Sequence, residues 1–305
     1  MSTTLVFTQF LNGLQLGVLL FLMAAGLTLV FGIMNFVNLA HGALYMMGAY
    51  LAAATFAKTN SFVLAVLAAS LGAAFIGWLL EQVALKKLYE RDHLDQVLAT
   101  FGLILFFNEV VRIIWGPSAV FTQIPEGLSQ LIDIAGFNYP AYRGLIILVG
   151  LLVALGLYLL IQKTRVGMLI RAGASNASMV SALGVNIKLL NTAVFCLGIA
   201  LAGLAGAMAG PILSVQPGMG DNILILTLVV IIIGGLGSIR GAIFGALIVG
   251  VVDTLGRIFL PIVFRTMFER STADAMGPAI ASMLIYLLMA VVLAVKPNGL
   301  FPAQK

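Results

Sequence analysis

Hydrophobic and polar positions along this 305-residue chain alternate in long blocks: apolar runs of about twenty residues, separated by short polar connections. The runs fall near 8–33, 38–57, 62–85, 96–114, 144–162, 190–213, 222–238, 241–260 and 276–295. Each is long enough to cross a hydrocarbon layer of roughly 30 Å as a helix. Segments such as GLIILVGLLVALGLYLLI and LVVIIIGG are apolar on every face and lack the period-two polarity of barrel strands. The pattern predicts an all-α polytopic membrane protein with about eight or nine transmembrane helices, forming one transmembrane domain over 1–305.

Composition supports this reading, because a chain that is 62% hydrophobic and 9% charged cannot hide its apolar surface in a soluble core. The net charge of +5 does not point to nucleic acid, since the basic residues are scattered between spans and form no face. They read as orientation signals. The connections 86–95 and 163–188 carry seven of the sixteen basic residues and are expected in the cytoplasm. Loop 115–143, with Glu126 and Asp133, is expected outside. Lys296 and Lys305 put the C-terminus inside, and counting back puts the N-terminus outside; Arg265 and Arg270 run against this scheme, accompanied by Glu269 and Asp274. MSTTLVFTQF has no basic region before its apolar run, so no cleaved signal peptide is expected. The lone Cys196 excludes an internal disulfide.

The stretch NFVNLAHGALYMMGAY places Asn35, Asn38 and His41 in the middle of apolar sequence, and residues 1–57 contain no Lys, Arg, Asp or Glu. Polar groups at membrane depth are tolerated where they pack in protein or line a water-filled cavity. A three-residue spacing predicts one helix side, with Gly32 and Gly42 as points of backbone freedom, so an interrupted helix at a translocation path or gate is expected here. LTLVFGIMNFVNLAHGALY at 27–45 also aligns without gaps on LTLVVIIIGGLGSIRGAIF at 226–244, with seven identities, which predicts an internal repeat. In the second unit Gly234, Gly235, Gly237 and Gly241 surround Ser238 and Arg240, a flexible break with one fixed charge. The alternative reading of both breaks is a tight cytoplasmic turn between two full helices. Glu109 with Arg112 and Asp253 with Arg257 are spaced to neutralise each other along a helix face. The spacings Gly13/Gly17, Gly206/Gly210 and Gly241/Gly245 predict close helix packing.

Between 163 and 188 the connection is too polar and too long to be minimal. Ser175 is expected to cap a short helix through Ala177, Met179, Val180 and Leu183, stopped by Gly184, whose apolar edge suits docking of a soluble partner. No catalytic set is present. GGLGSIRG lacks the lysine of a phosphate-binding loop, and His41 has no carboxylate or thiol at metal spacing.

Taken in order, GLTLVFGIMNFVNLAHGALYMMGAY, LLEQVALKKLYERDHLDQVLATFGL, TRVGMLIRAGASNASMVSALGVNI, GLAGAMAGPI and GGLGSIRGAIFGALIVG resemble the LivH-type permeases of bacterial branched-chain amino acid ABC importers. The resemblance covers nearly the whole chain. It implies an inner-membrane subunit paired with a second, related permease (LivM-type), driven by two cytoplasmic ATPases and fed by a periplasmic binding protein, with ATP bound by the partner subunits and no cofactor in this chain. It also implies that Arg171, Ala172, Asn176, Ala182 and Gly184 belong to the loop that meets an ATPase, and that Asn35–Gly42 is the family's interrupted helix near the pathway. Ala43 stands where many relatives carry Glu after the His-Gly pair, which leaves urea, short amides or another small solute as alternatives. An ion-coupled secondary transporter would need a titratable or ion-coordinating membrane site, which the charge-free first 57 residues do not offer. A purely structural scaffold would leave the docking segment unexplained.

Overall fold

A computed structural model describes residues 3–134 and 137–302. Among these residues there are ten α-helices: α1 (Thr3–Met34), α2 (His41–Thr59), α3 (Phe62–Val83), α4 (His93–Trp115), α5 (Ala141–Lys163), α6 (Arg165–Ala182), α7 (Ile187–Leu213), α8 (Met219–Gly234), α9 (Ile239–Phe264) and α10 (Arg270–Val295). Each of the nine apolar runs falls on one helix. Seven helices are long and apolar enough to cross a membrane, and α8 is a shorter apolar helix. Between α4 and α5 lies an antiparallel hairpin, β1 (Leu131–Ile134) and β2 (Phe137–Pro140), which the sequence pattern did not predict.

Lipid tails are as apolar as leucine, so helices in a membrane are held by close packing more than by hydrophobic burial. This chain packs glycine on glycine. Gly13 and Gly17 of α1 meet Val251, Leu247 and the Ala246 carbonyl of α9, Gly26 meets Gly198 of α7, and Gly48 of α2 meets Gly203 of α7. Gly203 also faces Ala69 and Ala73 of α3. A methyl group at Gly250 would overlap the backbone of Gly13 and Gly17, whereas one at Gly102 would meet nothing.

These contacts fix the direction of every helix. The hairpin face is the end of the bundle carrying β1 and β2; the α6 face is the opposite end, where α1 finishes with Ile33 against Gly173 of α6. α1, α3, α5 and α10 run toward the α6 face, and α4, α7 and α9 run back. α2 and α8 do not cross fully. The chain doubles back after Met34, and the ring of His41, the first residue of α2, lies 3.2 Å from the carbonyl oxygen of Met23. Met23 is roughly 16 Å above the end of α1 at 1.5 Å per residue, so α2 begins at half depth and runs to the hairpin face. From the other side, segment 214–218 re-enters after α7, with Val215 paired to Val120, and α8 begins where Gly220 packs on the Gly42 carbonyl. α8 runs from there to the α6 face.

Two parts of the chain follow related paths. α1 and α2 correspond in path to α7 and α8 with inverted direction, and α1 packs along α9 as α7 packs along α3. The 226–244 segment instead spans the end of α8, a glycine turn and the start of α9. LTLV recurs because both stretches lie in apolar helix, where few residue types are used.

Gly250→Leu should lower stability by about 1–3 kcal/mol, and Gly102→Leu should change it by less than about 0.5 kcal/mol. Thermal unfolding of the purified protein in detergent checks both.

Candidate translocation site and docking surface

The site begins with how α1 ends. Asn35 adopts a left-handed conformation, φ 48°, which asparagine tolerates better than most residues, and its N–H donates to the Phe31 carbonyl at 2.9 Å. Beyond it, 36–40 are not helical. The expectation that Asn35, Asn38 and His41 share one helix side is corrected here: Asn35 is exposed, while Asn38 and His41 are 1% and 0% exposed. A periodicity argument fails because there is no helix across the break.

The backbone of the break is satisfied by α4. Val37 N–H donates to Gln96 Oε1 at 3.2 Å and Leu39 N–H to Thr100 Oγ1 at 3.3 Å. Gln96 Nε2 in turn donates to the carbonyls of Leu88 and Arg91, at 3.2 and 3.1 Å. By contrast, among the described residues neither side-chain atom of Asn38 has a partner, nor do His41 Nδ1 and Thr28 Oγ1. Buried polar atoms without protein partners mark positions where water or a polar solute is accommodated. Gly42 allows α2 and α8 to touch N-terminus to N-terminus, so two positive helix ends converge at half depth.

Ser238 and Arg240 lie elsewhere. Ser238 Oγ caps α9 by accepting from Gly241 N–H at 3.1 Å, and Arg240 is exposed in the turn at the α6 face. That turn touches α1 where Gly32 meets Gly237, close to Asn35. The structure thus brings Asn35 near Ser238 and separates both from Asn38, His41 and Gly42.

The connecting segment folds as α6 over Arg165–Ala182, longer than expected. Thr164 caps it, accepting from Gly167 N–H at 3.1 Å. The inner cap is Asn176, not Ser175: its backbone leaves the helix at φ −155°, ψ 91°, and its Oδ1 accepts from Met179 N–H at 2.9 Å. Arg171 donates to the carbonyl of Ile161, close to the C-terminus of α5. Ala172 is half-buried, Ala182 is exposed, and Gly184 turns the chain at φ 86°. Met179 and Leu183 form an exposed apolar edge, at 61% and 78%, whereas Val180, expected on the same edge, is buried at 7% because it faces the bundle.

Beside this edge, a cavity of about 770 Å³ lies between the start of α7, the C-terminal half of α6 and the 84–92 connection, lined by Lys86, Tyr89, Ser178 and Asn191 among others. Its floor holds a residue that sequence reasoning missed. Glu81 of α3 is buried and accepts from Thr192 Oγ1 at 2.9 Å and from the Tyr89 hydroxyl at 3.1 Å, with Lys86 Nζ 3.9 Å away. Burial, and then the Glu81 charge, push the Tyr89 hydroxyl well above the ordinary phenol range, so it remains a donor. A glutamate within an apolar run, and Gln96 and Thr100 at the start of another, were the available signals. The pairs Glu109–Arg112 and Asp253–Arg257 form as expected, at 2.9 and 2.8 Å.

A helical membrane bundle with two half-helices meeting at mid-depth and a surface helix beside a cavity on one face defines a solute permease. The family model described as "Branched-chain amino acid transport system / permease component" matches residues 9–293, and the chain belongs to that family. It is 29% identical to the high-affinity branched-chain amino acid transport system permease protein LivH of Salmonella typhimurium, over 96% of this chain and 94% of that protein. It is 30% identical to BraD of Pseudomonas aeruginosa over the same shares. A probable LivH of Methanocaldococcus jannaschii is 30% identical over 82% of this chain and 81% of its own length. No solved structure matches the chain.

Replacing Gln96 by Leu leaves the Val37 N–H and two carbonyls without their partner and should cost about 1–3 kcal/mol. Thr100→Val should cost less, because it removes the acceptor of one bond only. Thermal unfolding, with proteolysis near 35–40 as a local probe, checks the order.

Proposed function

We propose that this chain is the permease subunit of an ATP-driven importer for branched-chain amino acids, working with a second related permease, two cytoplasmic ATPases and an external binding protein. Family membership over residues 9–293 carries this reading. It is a transport subunit and not an enzyme, with ATP hydrolysed by its partners. The charge distribution supports the orientation: among the described residues, nine basic side chains lie toward the α6 face (Lys86, Lys87, Arg91, Lys163, Arg165, Arg171, Lys188, Arg240, Lys296) and six toward the hairpin face. The α6 face is then cytoplasmic, the C-terminus with it, and the membrane is a bacterial inner membrane.

On this reading solute passes the half-depth site, where the Asn38 amide, His41 and the ends of α2 and α8 at Gly42 and Gly220 offer dipoles suited to a zwitterion. Asn35, Ser238 and Arg240 form the inner gate. Arg171, Ala172, Asn176, Ala182 and Gly184 shape the surface that receives an ATPase, with Met179 and Leu183 as its apolar contact. The single-domain organisation over 1–305 places docking segment and path in one unit. Import of urea, short amides or another small solute within the same family is the second reading, favoured by Ala43 beside His41 and Gly42.

Leucine uptake by proteoliposomes should require ATP, the ATPases, the second permease and the binding protein, and this chain alone should transport nothing under a proton or sodium gradient. Gradient-driven accumulation by the chain alone would replace the reading with a secondary carrier. Arg171→Glu and Gly184→Val should each leave the complex assembled but lower uptake per ATP hydrolysed by about tenfold, the factor that corresponds to losing one charge-assisted contact or to strain at a positive φ. Normal uptake in both, with normal association, removes the coupling role.

A further inference from the structure

At the hairpin face a second cavity, of about 320 Å³, lies between α1, α5, α7 and α9. Its volume is at the lower end of the range for small-ligand pockets, ~300–1,000 Å³. The lining divides by chemistry. Arg143, in the first turn of α5, donates from Nη1 to Asn12 Oδ1 at 2.6 Å, and Asn12 Nδ2 donates to Gln9 Oε1 at 3.0 Å. The relay fixes the guanidinium through Nη1. Among the described residues Arg143 has no carboxylate partner. Gln15, 5% exposed, lines the same cavity. Thr254 adds a hydroxyl; Leu16, Leu19 and Ile212 supply an apolar wall.

A half-buried guanidinium with no carboxylate partner among the described residues, sharing one cavity with the Gln15 amide and an aliphatic wall, matches a small aliphatic amino acid group by group. We propose that this cavity is an outer solute subsite, in which Arg143 receives the carboxylate of the released amino acid, the oxygens of Gln15 and Thr254 receive its ammonium group, and Leu16, Leu19 and Ile212 receive its branched side chain. The inference rests on the import reading above and gives it an entrance. No acidic residue lines the cavity, so a cation lacking the carboxylate is refused. The subsite orients solute on its way to the half-depth site and binds it weakly, since selection belongs to the binding protein.

The test uses the assembled importer in lipid nanodiscs, with Leu213→Cys at the cavity rim as reporter and Cys196 replaced by Ser. Millimolar leucine should slow modification of the reporter by a small polar thiol reagent severalfold, leucinamide should not, and Arg143→Gln should abolish the protection. Arg143→Lys, which keeps the charge and loses the fork, should retain part of it and guards against a folding defect in the Gln variant. Protection by inorganic phosphate or by an anionic lipid headgroup but not by leucine overturns the proposal in favour of a lipid site. A complex that imports leucine without leucine protection overturns the subsite alone. Protection in a complex that imports no leucine supports the subsite and overturns the import reading.

Discussion

Backbone N–H and C=O groups that leave a helix inside a bilayer have only protein to bond with, and each one left unpaired costs several kcal/mol. The 35–40 break is possible because Gln96 and Thr100 of α4 present side-chain oxygens to Val37 and Leu39 N–H. Everything distinctive about the centre depends on that support. It lets α2 start at half depth, which in turn exposes Asn38 and His41 to the interior and not to lipid. Neither residue could be moved into an unbroken α1 without putting an unpaired amide or imidazole against a packed neighbour.

The second requirement is room. Two half-helices can meet end to end only if nothing projects between them, and a Cβ at either Gly42 or Gly220 would overlap the opposing backbone. Glycine at these positions is a steric demand. The same demand recurs where α1 crosses α7 at Gly26 and Gly198, beside the His41 ring. An inverted arrangement thereby brings two positive helix ends to one point from opposite faces. Asp221, in the first turn of α8, offsets part of that positive polarity at the same point.

Spans were legible in the sequence because lipid imposes a length and a composition on each, and all nine runs fall on helices. The helix between 163 and 188 was legible in kind but not in extent: its N-cap, Thr164, lies eleven residues before the expected Ser175 cap, and Asn176 takes the inner cap because its side chain accepts from Met179 N–H. Both residues are good caps, and only backbone geometry chooses between them. Asn35 and Asn38 were legible as unusual, yet their different fates were hidden, since one closes a helix and the other is buried in the bundle. The path that α1 and α2 share with α7 and α8 was hidden for a related reason. Inverted halves share a path and need share no residues, whereas chance identities accumulate in stretches built from leucine, valine, isoleucine and glycine.

A short piece of chain, 84–92, ties the surface around α6 to the break at half depth. Its outer side, through Lys86, Lys87 and Tyr89, lines the cavity beside α6. Its inner side holds the break: the carbonyls of Leu88 and Arg91 position Gln96, which holds Val37, and the Tyr89 ring packs edge-on against Phe36 at 5.2 Å. Tyr89 also bonds Glu81, which is fixed to α7 through Thr192. Hydrogen bonds weaken steeply once stretched or tilted, so this connection cannot shift relative to α3 without releasing either the Glu81 bonds or the tether on Val37. A partner that pressed on the α6 cavity would act directly on the backbone that keeps α2 at half depth, with no intervening flexible loop to absorb the movement.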